Sequence, residues 1–301
     1  MLPDNKNNSL DLANHFEKMY LNLDKLGLDS TSESNLPAQV VMDRMLEAVE
    51  EMFGEDAPKV FIDDEVSSKA IAGRRRIRIR RDAMFSDMDI DQLIHHEAFI
   101  HVATSINGHS QDKLKILSAS HPGTTKTQEG LAVFAEYITG HLDLDRLRRL
   151  SDRILAIQMA ADGADFIEVF RFYAGHTGSD DIAFENTRRV FRGGVISGGA
   201  PFTKDIVYLD GLLNVHSFFR TVVSDGRAEV LPLLFVGKLD IEDMAEMVYF
   251  KKLGLLKEPK YLPPWIKDIR FLLTYLAYSS FLNNVNLETM KPFYRRMVNN
   301  F

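Results

Sequence analysis

The sequence predicts an α+β fold in which helices dominate and a small sheet lies early in the chain. Two neighbouring stretches, KVFIDDEV (59–66) and KAIAGRRRIRIRR (69–81), are rich in β-branched residues and partly alternate, as strands do. From residue 89 onward, apolar residues recur mostly with helical spacing. The chain has 301 residues, 45% of them hydrophobic and 26% charged, so it can bury a substantial core.

The first part of the chain predicts an N-terminal helical extension. Residues 10–28 show helical periodicity and lead into the polar run DSTSESN. We therefore expect an extension over residues 1–36 and one main domain over residues 37–301. Residues 37–53 read as an amphipathic helix that precedes the two strands.

Two helices after the strands carry the residues of greatest chemical interest. Asp89 is a candidate N-cap with Gln92 three residues on, and Gly108 is a candidate stop. A second helix is predicted to begin at Thr125, with Gln128 as its capping partner, and to end at Gly140. Further helical periodicity covers residues 147–161, 166–174, 206–223, 241–253 and 265–282.

The composition excludes several classes of protein. Cysteine is absent, so disulfides and thiolate metal sites are impossible and any metal must be held by His, Asp, Glu or water. A net charge of -7 argues against a nucleic-acid partner. We see neither a secretory signal nor an apolar stretch long enough to cross a bilayer, and we expect a cytoplasmic protein without a membrane partner.

The stretch LIHHEAFIH contains an HExxxH pattern, formed by His96, Glu97 and His101. In the shorter HExxH pattern of zinc proteases, two histidines on one helical face bind the metal and the glutamate is the general base. Histidines five positions apart would point about 140° away from each other on an ideal α-helix. A π-turn returns them to one face, so we predict a π-bulge between His96 and His101.

Two other interpretations of this stretch stay open at the level of sequence. On a regular helix, Glu97 and His101 are four positions apart and could be the ligand pair while His96 points elsewhere. The histidines could also be ordinary surface or hydrogen-bonded core residues on a helix.

A third metal ligand is predicted in KTQEGLAVFAEY. Catalytic zinc normally has three protein ligands, and Glu129 follows His101 by 28 residues near the start of its own helix. Gly130 lies inside that helix, where glycine costs about 1 kcal/mol relative to alanine. We expect it to permit a close backbone approach to the HExxxH helix.

Four motifs together resemble a known family: HHEAFIH, TQEGLA, TRRVFRGG and FTKDIVYLDGL. They are similar to those of the QEGLA-motif family, relatives of the MATCAP-type tubulin tyrosine carboxypeptidases, over at least residues 75–213. The resemblance implies a zincin-like metallopeptidase core. It also implies that His96, His101 and Glu129 hold Zn²⁺ and that Glu97 is the catalytic base.

A carboxypeptidase must also bind the terminal carboxylate of its substrate, and Arg and Lys suit that task. Arg192 in TRRVFRGG and Lys204 in FTKD are the candidates. Tyr208 is a candidate donor to the developing oxyanion. Each of the three could equally be an ordinary ion-pair or core residue.

The segment GRRRIRIRR has alternating arginines and isoleucines, so one face of the strand is apolar and the other cationic. One interpretation is an edge strand whose charges prevent aggregation. The other is an edge that docks an acidic peptide, with Arg78 as the contact.

The sequence as a whole predicts a zinc-dependent carboxypeptidase that removes a C-terminal residue, with aromatic residues as candidates, from a peptide or protein substrate. A zinc endopeptidase is the alternative enzyme, and a metal-binding regulator with little turnover is the alternative from another class.

Overall fold

The computed structural model describes residues 2–23 and 34–298 and is dominated by helices. Its helices are α1 (Ser9–Leu23), α2 (Ala38–Phe53), α3 (Asp87–Leu93), α4 (Ala103–Ser110), α5 (Pro122–Ile138), α6 (Leu144–Ala161), α7 (Phe166–Thr177), α8 (Asp180–Val190), α9 (Val207–Ser224), α10 (Met244–Lys252), α11 (Pro264–Lys267), α12 (Arg270–Leu282) and α13 (Leu287–Val298). Its strands are β1 (Leu36–Pro37), β2 (Lys59–Asp63), β3 (Ala70–Gly73), β4 (Arg76–Arg80) and β5 (Met84–Phe85). The helix-rich α+β prediction is confirmed.

The three-stranded sheet has the order β2-β4-β3, with β2 parallel and β3 antiparallel to β4. The arginine-rich strand is therefore central, and the prediction that it is an edge was wrong. The sequence also suggested one strand over residues 69–81, and this was wrong. A turn after Gly73 divides the segment into β3 and β4, which form a hairpin. Periodicity alone does not reveal which strand is an edge, because pairing is long-range.

One face of this sheet belongs to the core. Ile77 and Ile79 of β4 are fully buried and pack with residues of α2 and with Ala98 and Val102. The arginines that alternate with them lie on the opposite face, as the pleat requires. The sheet thereby packs its apolar side against the helix that carries the histidines.

That helix is continuous from Asp87 to Ser110. It consists of α3, a π-helical segment (Ile94–Val102) and α4, and we call it the HExxxH helix. Ser86 and Asp89 form its capping box, so the N-cap is Ser86 and not Asp89 as predicted. Gly108 does not end the helix; a Cβ there would lie 2.8 Å from the carbonyl carbon of Leu117.

Helix α5 crosses α9 at a pair of glycines. A Cβ on Gly130 would lie 2.7 Å from the Cα of Gly211, and a Cβ on Gly211 would lie 2.8 Å from the Cα of Gly130. The close approach predicted for Gly130 is real, but its partner is α9 and not the HExxxH helix. Helix α5 also begins at Pro122, three residues before the predicted Thr125.

The other predicted helices agree with the structure in position, but their boundaries differ. Residues 147–161, 166–174, 206–223 and 241–253 lie largely in α6, α7, α9 and α10, whereas residues 265–282 divide into α11 and α12. Helices α8 and α13 were missed. Part of the predicted helix over residues 10–28 lies in α1, and the rest falls outside the described residues.

The N-terminal helix packs on the main body. Ala13 of α1 is fully buried with Leu150 and Ile154 of α6 and Leu209 of α9. The division into an extension over residues 1–36 and a domain over residues 37–301 stays a prediction. Among the described residues, each helix falls short of the length and apolarity that a bilayer crossing requires.

We expect Gly130→Ala to destabilise the fold. The new methyl group would overlap the backbone of Gly211, so the free energy of unfolding should fall by about 2 kcal/mol or more, the range typical of overpacking. Urea unfolding followed by circular dichroism measures the change.

Gly175 is the matched control, because it lies within α7 and a Cβ there meets no atom within 4 Å. Gly175→Ala should leave stability unchanged or raise it by up to about 1 kcal/mol. Equal effects of the two substitutions would contradict the glycine crossing.

Candidate metal centre

The π-helical segment brings the two histidines of HExxxH together. The rings of His96 and His101 are 4.9 Å apart between centroids and meet edge to face at 82°. Hydrogen bonding with a longer repeat than in an α-helix makes positions i and i+5 neighbours. The predicted π geometry is confirmed and extends over Ile94–Val102, further than the single bulge that was expected.

Glu129 reaches the same point from α5. Its Oε2 lies 3.4 Å from Nε2 of His96 and 3.7 Å from Nε2 of His101. One ligand atom from each of the three side chains lies within 4.8 Å of the others. The neighbouring Gln128 fixes the relation between the two helices, because its Oε1 accepts a 2.7 Å hydrogen bond from Oγ1 of Thr104. We call His96, His101 and Glu129 the central trio.

Glu97 points to the sheet. Its Oε2 accepts a 2.7 Å hydrogen bond from the backbone N–H of Ala72 on β3, which is the edge strand beside the HExxxH helix. His96 turns towards Glu129, so the alternative in which Glu97 and His101 form the ligand pair is not the observed arrangement.

Glu136 is a residue of the candidate site that sequence reasoning missed. Its side chain is fully buried on α5, and its Oε1 accepts hydrogen bonds from Nδ1 of His96 at 2.6 Å and from Nε2 of Gln92 at 2.8 Å. Arg146 of α6 donates to both carboxylate oxygens, at 3.0 and 3.1 Å. The bond at Nδ1 leaves Nε2 of His96 directed at Glu129, which fixes the ring for metal binding.

The charges around His96 are strongly coupled. Burial alone would lower the pKa of His96, but hydrogen bonds to Glu129 and Glu136 outweigh it and raise that pKa to about 10. Burial opposes ionisation of Glu136 too, yet Arg146 and His96 lower its pKa to about 2. The pKa of Glu129 likewise lies well below its ordinary value, because His101 and His96 outweigh the effect of burial.

The chemistry of this donor set fits a catalytic zinc site. Two imidazole nitrogens and one carboxylate oxygen are ligands that Zn²⁺ accepts, and three protein ligands leave a position for water. The carboxylate of Glu136 behind His96 is the outer-sphere partner that metal-binding histidines usually have. His95, next to the trio, instead stacks on His141 at 5.0 Å.

A group of arginines and Tyr208 borders the trio on the side of α6. Burial raises the pKa of Tyr208 to about 12, and Glu129 adds to the shift. The guanidinium of Arg153 lies 5.6 Å from the centroid of the Tyr208 ring. Arg153 and Arg189 share one carboxylate, Asp205, at 4.0 Å from Arg153 and 2.9 Å from Arg189. Two cations facing one anion leave a surplus positive charge beside Tyr208.

The other predicted substrate contacts lie at more exposed positions than Arg153. Arg192 and Lys204 are exposed, and the guanidinium of Arg192 lies over the ring of Phe202 at 4.6 Å. Arg78 lies on the outer face of the sheet, where its Nη1 is 3.4 Å from Asp63. The structure therefore brings Tyr208 near the central trio but not Arg78.

The sequence is similar to that of a known protein family. The sequence profile described as microtubule-associated tyrosine carboxypeptidase matches residues 1–284. The chain belongs to that family. A search of curated proteins gave no match.

The microtubule-associated tyrosine carboxypeptidase family is a family of peptidases, and the motifs that suggested it here meet in space. Gly130 of TQEGLA packs on Gly211 of YLDGL. Arg189 of TRRVFRGG pairs with Asp205 of FTKD. The family match confirms the resemblance drawn from separate motifs, and these contacts give three of the four motifs a structural reason.

Replacing Glu136 by Gln should weaken metal binding without removing a ligand. The variant loses the charged acceptor that orients His96, and changes of this kind typically lower metal affinity by about 10–100-fold. A Zn²⁺ titration against a competing chelator measures the affinity, and circular dichroism checks the fold.

Glu185→Gln is the matched control, since Glu185 is an exposed carboxylate paired with Arg188 on α8. It should bind Zn²⁺ as the unmodified protein does. An unchanged affinity in Glu136→Gln would remove Glu136 from the positioning role.

Proposed function

We propose that the protein is a zinc-dependent carboxypeptidase that removes one C-terminal residue, with tyrosine as the first candidate, from a peptide or protein. The observation that carries the proposal is the meeting of His96, His101 and Glu129 beside Glu97. The family to which the chain belongs supports the reaction class. Microtubules are named by the family description, so a tubulin tail is one candidate substrate.

In this proposal His96, His101 and Glu129 hold Zn²⁺ as protein ligands. When bound, the ion would lower the pKa of a coordinated water towards 7 and polarise the scissile carbonyl. Glu136 keeps His96 in one orientation through the 2.6 Å bond at Nδ1. The buried surroundings of the trio strengthen each of these electrostatic interactions relative to water.

Glu97 is the proposed general base. The hydrogen bond from Ala72 holds its Oε2 and leaves Oε1 to take the proton of the attacking water and return it to the leaving amine. The same bond fixes the carboxylate against the edge strand β3. The base is thereby held on a regular element, next to a strand along which a substrate backbone can lie.

The surplus positive charge beside Tyr208 is the proposed site for the terminal carboxylate. Among the described residues, Arg153 has one distant anionic partner, Asp205 at 4.0 Å, and its side chain is 19% exposed. A substrate carboxylate would supply the missing negative charge, and a guanidinium binds it through two parallel hydrogen bonds. Arg192 and Lys204 stay the alternatives, and Tyr208 is the proposed donor to the oxyanion.

An acidic stretch upstream of the cleaved residue is the proposed second element of recognition. Strand β3 leads from Ala72 directly into the basic turn at Arg74 and Arg75, and Lys59 lies beside it. These residues line a shallow groove with Phe61. This turn takes over the docking role that the sequence suggested for Arg78.

Two other functions remain to be separated by experiment. A zinc endopeptidase would cleave amidated and free peptides equally, because it does not need a terminal carboxylate. A metal-binding regulator would hold Zn²⁺ and release no product from a library of peptides with varied C-terminal residues and with Glu or Gln upstream.

Glu97→Gln should retain Zn²⁺ and lose turnover. General base catalysis typically contributes about 10²–10⁴-fold, so product release from the peptide library should fall by at least about 100-fold. Mass spectrometry measures products, and elemental analysis measures bound metal. Full hydrolysis by the variant would exclude Glu97 as the base, and no hydrolysis by the zinc-loaded unmodified protein would favour the regulator.

Arg153→Ala should raise the KM for free C-termini. Loss of a charged hydrogen bond costs about 1.5–3 kcal/mol, equivalent to a KM increase of about 10–150-fold, and the preference over amidated peptides should shrink with it. Arg153→Lys should restore part of the preference, since it restores the charge.

Arg192→Ala is the control for Arg153→Ala, because it removes the same charge from an exposed position. It should leave the preference for free C-termini unchanged. If Arg192→Ala removes the preference and Arg153→Ala does not, the carboxylate binds at Arg192.

A further inference from the structure

A second group of metal-binding side chains lies outside the central trio. Glu17 of α1, Asp152 of α6 and His176 of α7 each offer a ligand atom within 4.8 Å of the others. Nδ1 of His176 is 3.0 Å from Oδ1 of Asp152, and Nε2 of His176 is 3.7 Å from Oε1 of Glu17. We call these three residues the outer trio.

The outer trio resembles the central trio in the distances between its ligand atoms and in its partial burial. The 3.7 Å between His176 and Glu17 equals the distance between His101 and Glu129. The side chains of Glu17, Asp152 and His176 are 25%, 5% and 18% exposed. The ring of Phe172 packs against that of His176 at 4.2 Å between centroids, which limits its rotation.

The charges of the outer trio leave a place for a cation. Two carboxylates face one imidazole, so the group carries net negative charge whether or not His176 is protonated. Within residues 2–23 and 34–298, no lysine or arginine forms an ion pair with Glu17 or Asp152. A carboxylate as buried as that of Asp152 favours a bound cation when no lysine or arginine neutralises it.

We propose that the outer trio is a second metal site that binds a divalent transition-metal ion and joins α1 to α6 and α7. One imidazole and two carboxylates are suitable ligands for Zn²⁺ and Mn²⁺. The three ligands come from three helices, so the ion acts as a crosslink between the N-terminal helix and the main body. Its role is structural, and it is independent of the reaction at the central trio.

The test counts metal ions bound by the full chain. Metal-free protein is dialysed to equilibrium against buffered Zn²⁺, and in a separate series against Mn²⁺, and bound metal is measured by elemental analysis. The unmodified protein should bind two equivalents of at least one of the two ions. Glu17→Gln and Asp152→Asn should each bind one equivalent while keeping peptidase activity.

Further variants assign each bound metal ion to one of the two trios. His101→Ala should also bind one equivalent, and adding Glu17→Gln to it should abolish binding. Asp162→Asn removes an exposed carboxylate from the end of α6 and should leave the count at two. In the His101→Ala protein, metal should also slow proteolytic cleavage of α1, and this protection should disappear with Glu17→Gln.

A count in the unmodified protein that Glu17→Gln leaves unchanged with both ions, whether one equivalent or two, would overturn the proposal. The three residues would then be a hydrogen-bonded ion pair in which His176 bridges two carboxylates. Glu17 lies on α1 and is partly exposed, so its substitution should not prevent folding. The Glu17→Gln variant therefore tests the proposal even if Asp152→Asn proves unstable.

Discussion

The carboxylate of Glu136 is the constraint on which the candidate metal centre depends. A buried carboxylate is costly unless it is paired and hydrogen-bonded, and Gln92, His96 and Arg146 together satisfy it. These partners come from the HExxxH helix and from α6, so the positions of both helices relative to α5 are coupled through one group. Because His96 donates from Nδ1, its Nε2 is left to face Glu129, and the geometry of the trio follows from that bond.

Helix α5 therefore carries both carboxylates that face His96. Glu129 and Glu136 are seven residues apart, or about two turns, and lie on the same side of the helix. The glycine contact between Gly130 and Gly211 brings α9 close to this helix, and α9 carries Tyr208 near its start. This close crossing thus places the ring of Tyr208 near the central trio and beside Arg153.

The sequence could predict the features that depend on residues close together in the chain. The HExxxH spacing leaves few ways to bring two histidines to one metal, so the π geometry followed from it. The sheet order, the role of Glu136 and the position of Arg153 depend on contacts between residues far apart in the chain, and helical or strand periodicity does not encode them. A signal for Glu136 was nevertheless present, since a carboxylate two turns after Glu129 in the apolar run GLAVFAEYI requires a partner.

The distribution of charge favours the exopeptidase among the proposed functions. Glu129 of the central trio borders Tyr208, and the arginines of α6 and α8 lie beside the same tyrosine, with more cations than anions. An endopeptidase substrate would place a neutral peptide beside the largely buried Arg153 and displace the water that solvates it, without supplying an anion. A free C-terminus supplies that anion, so the same burial that penalises a continuing chain stabilises a terminal carboxylate.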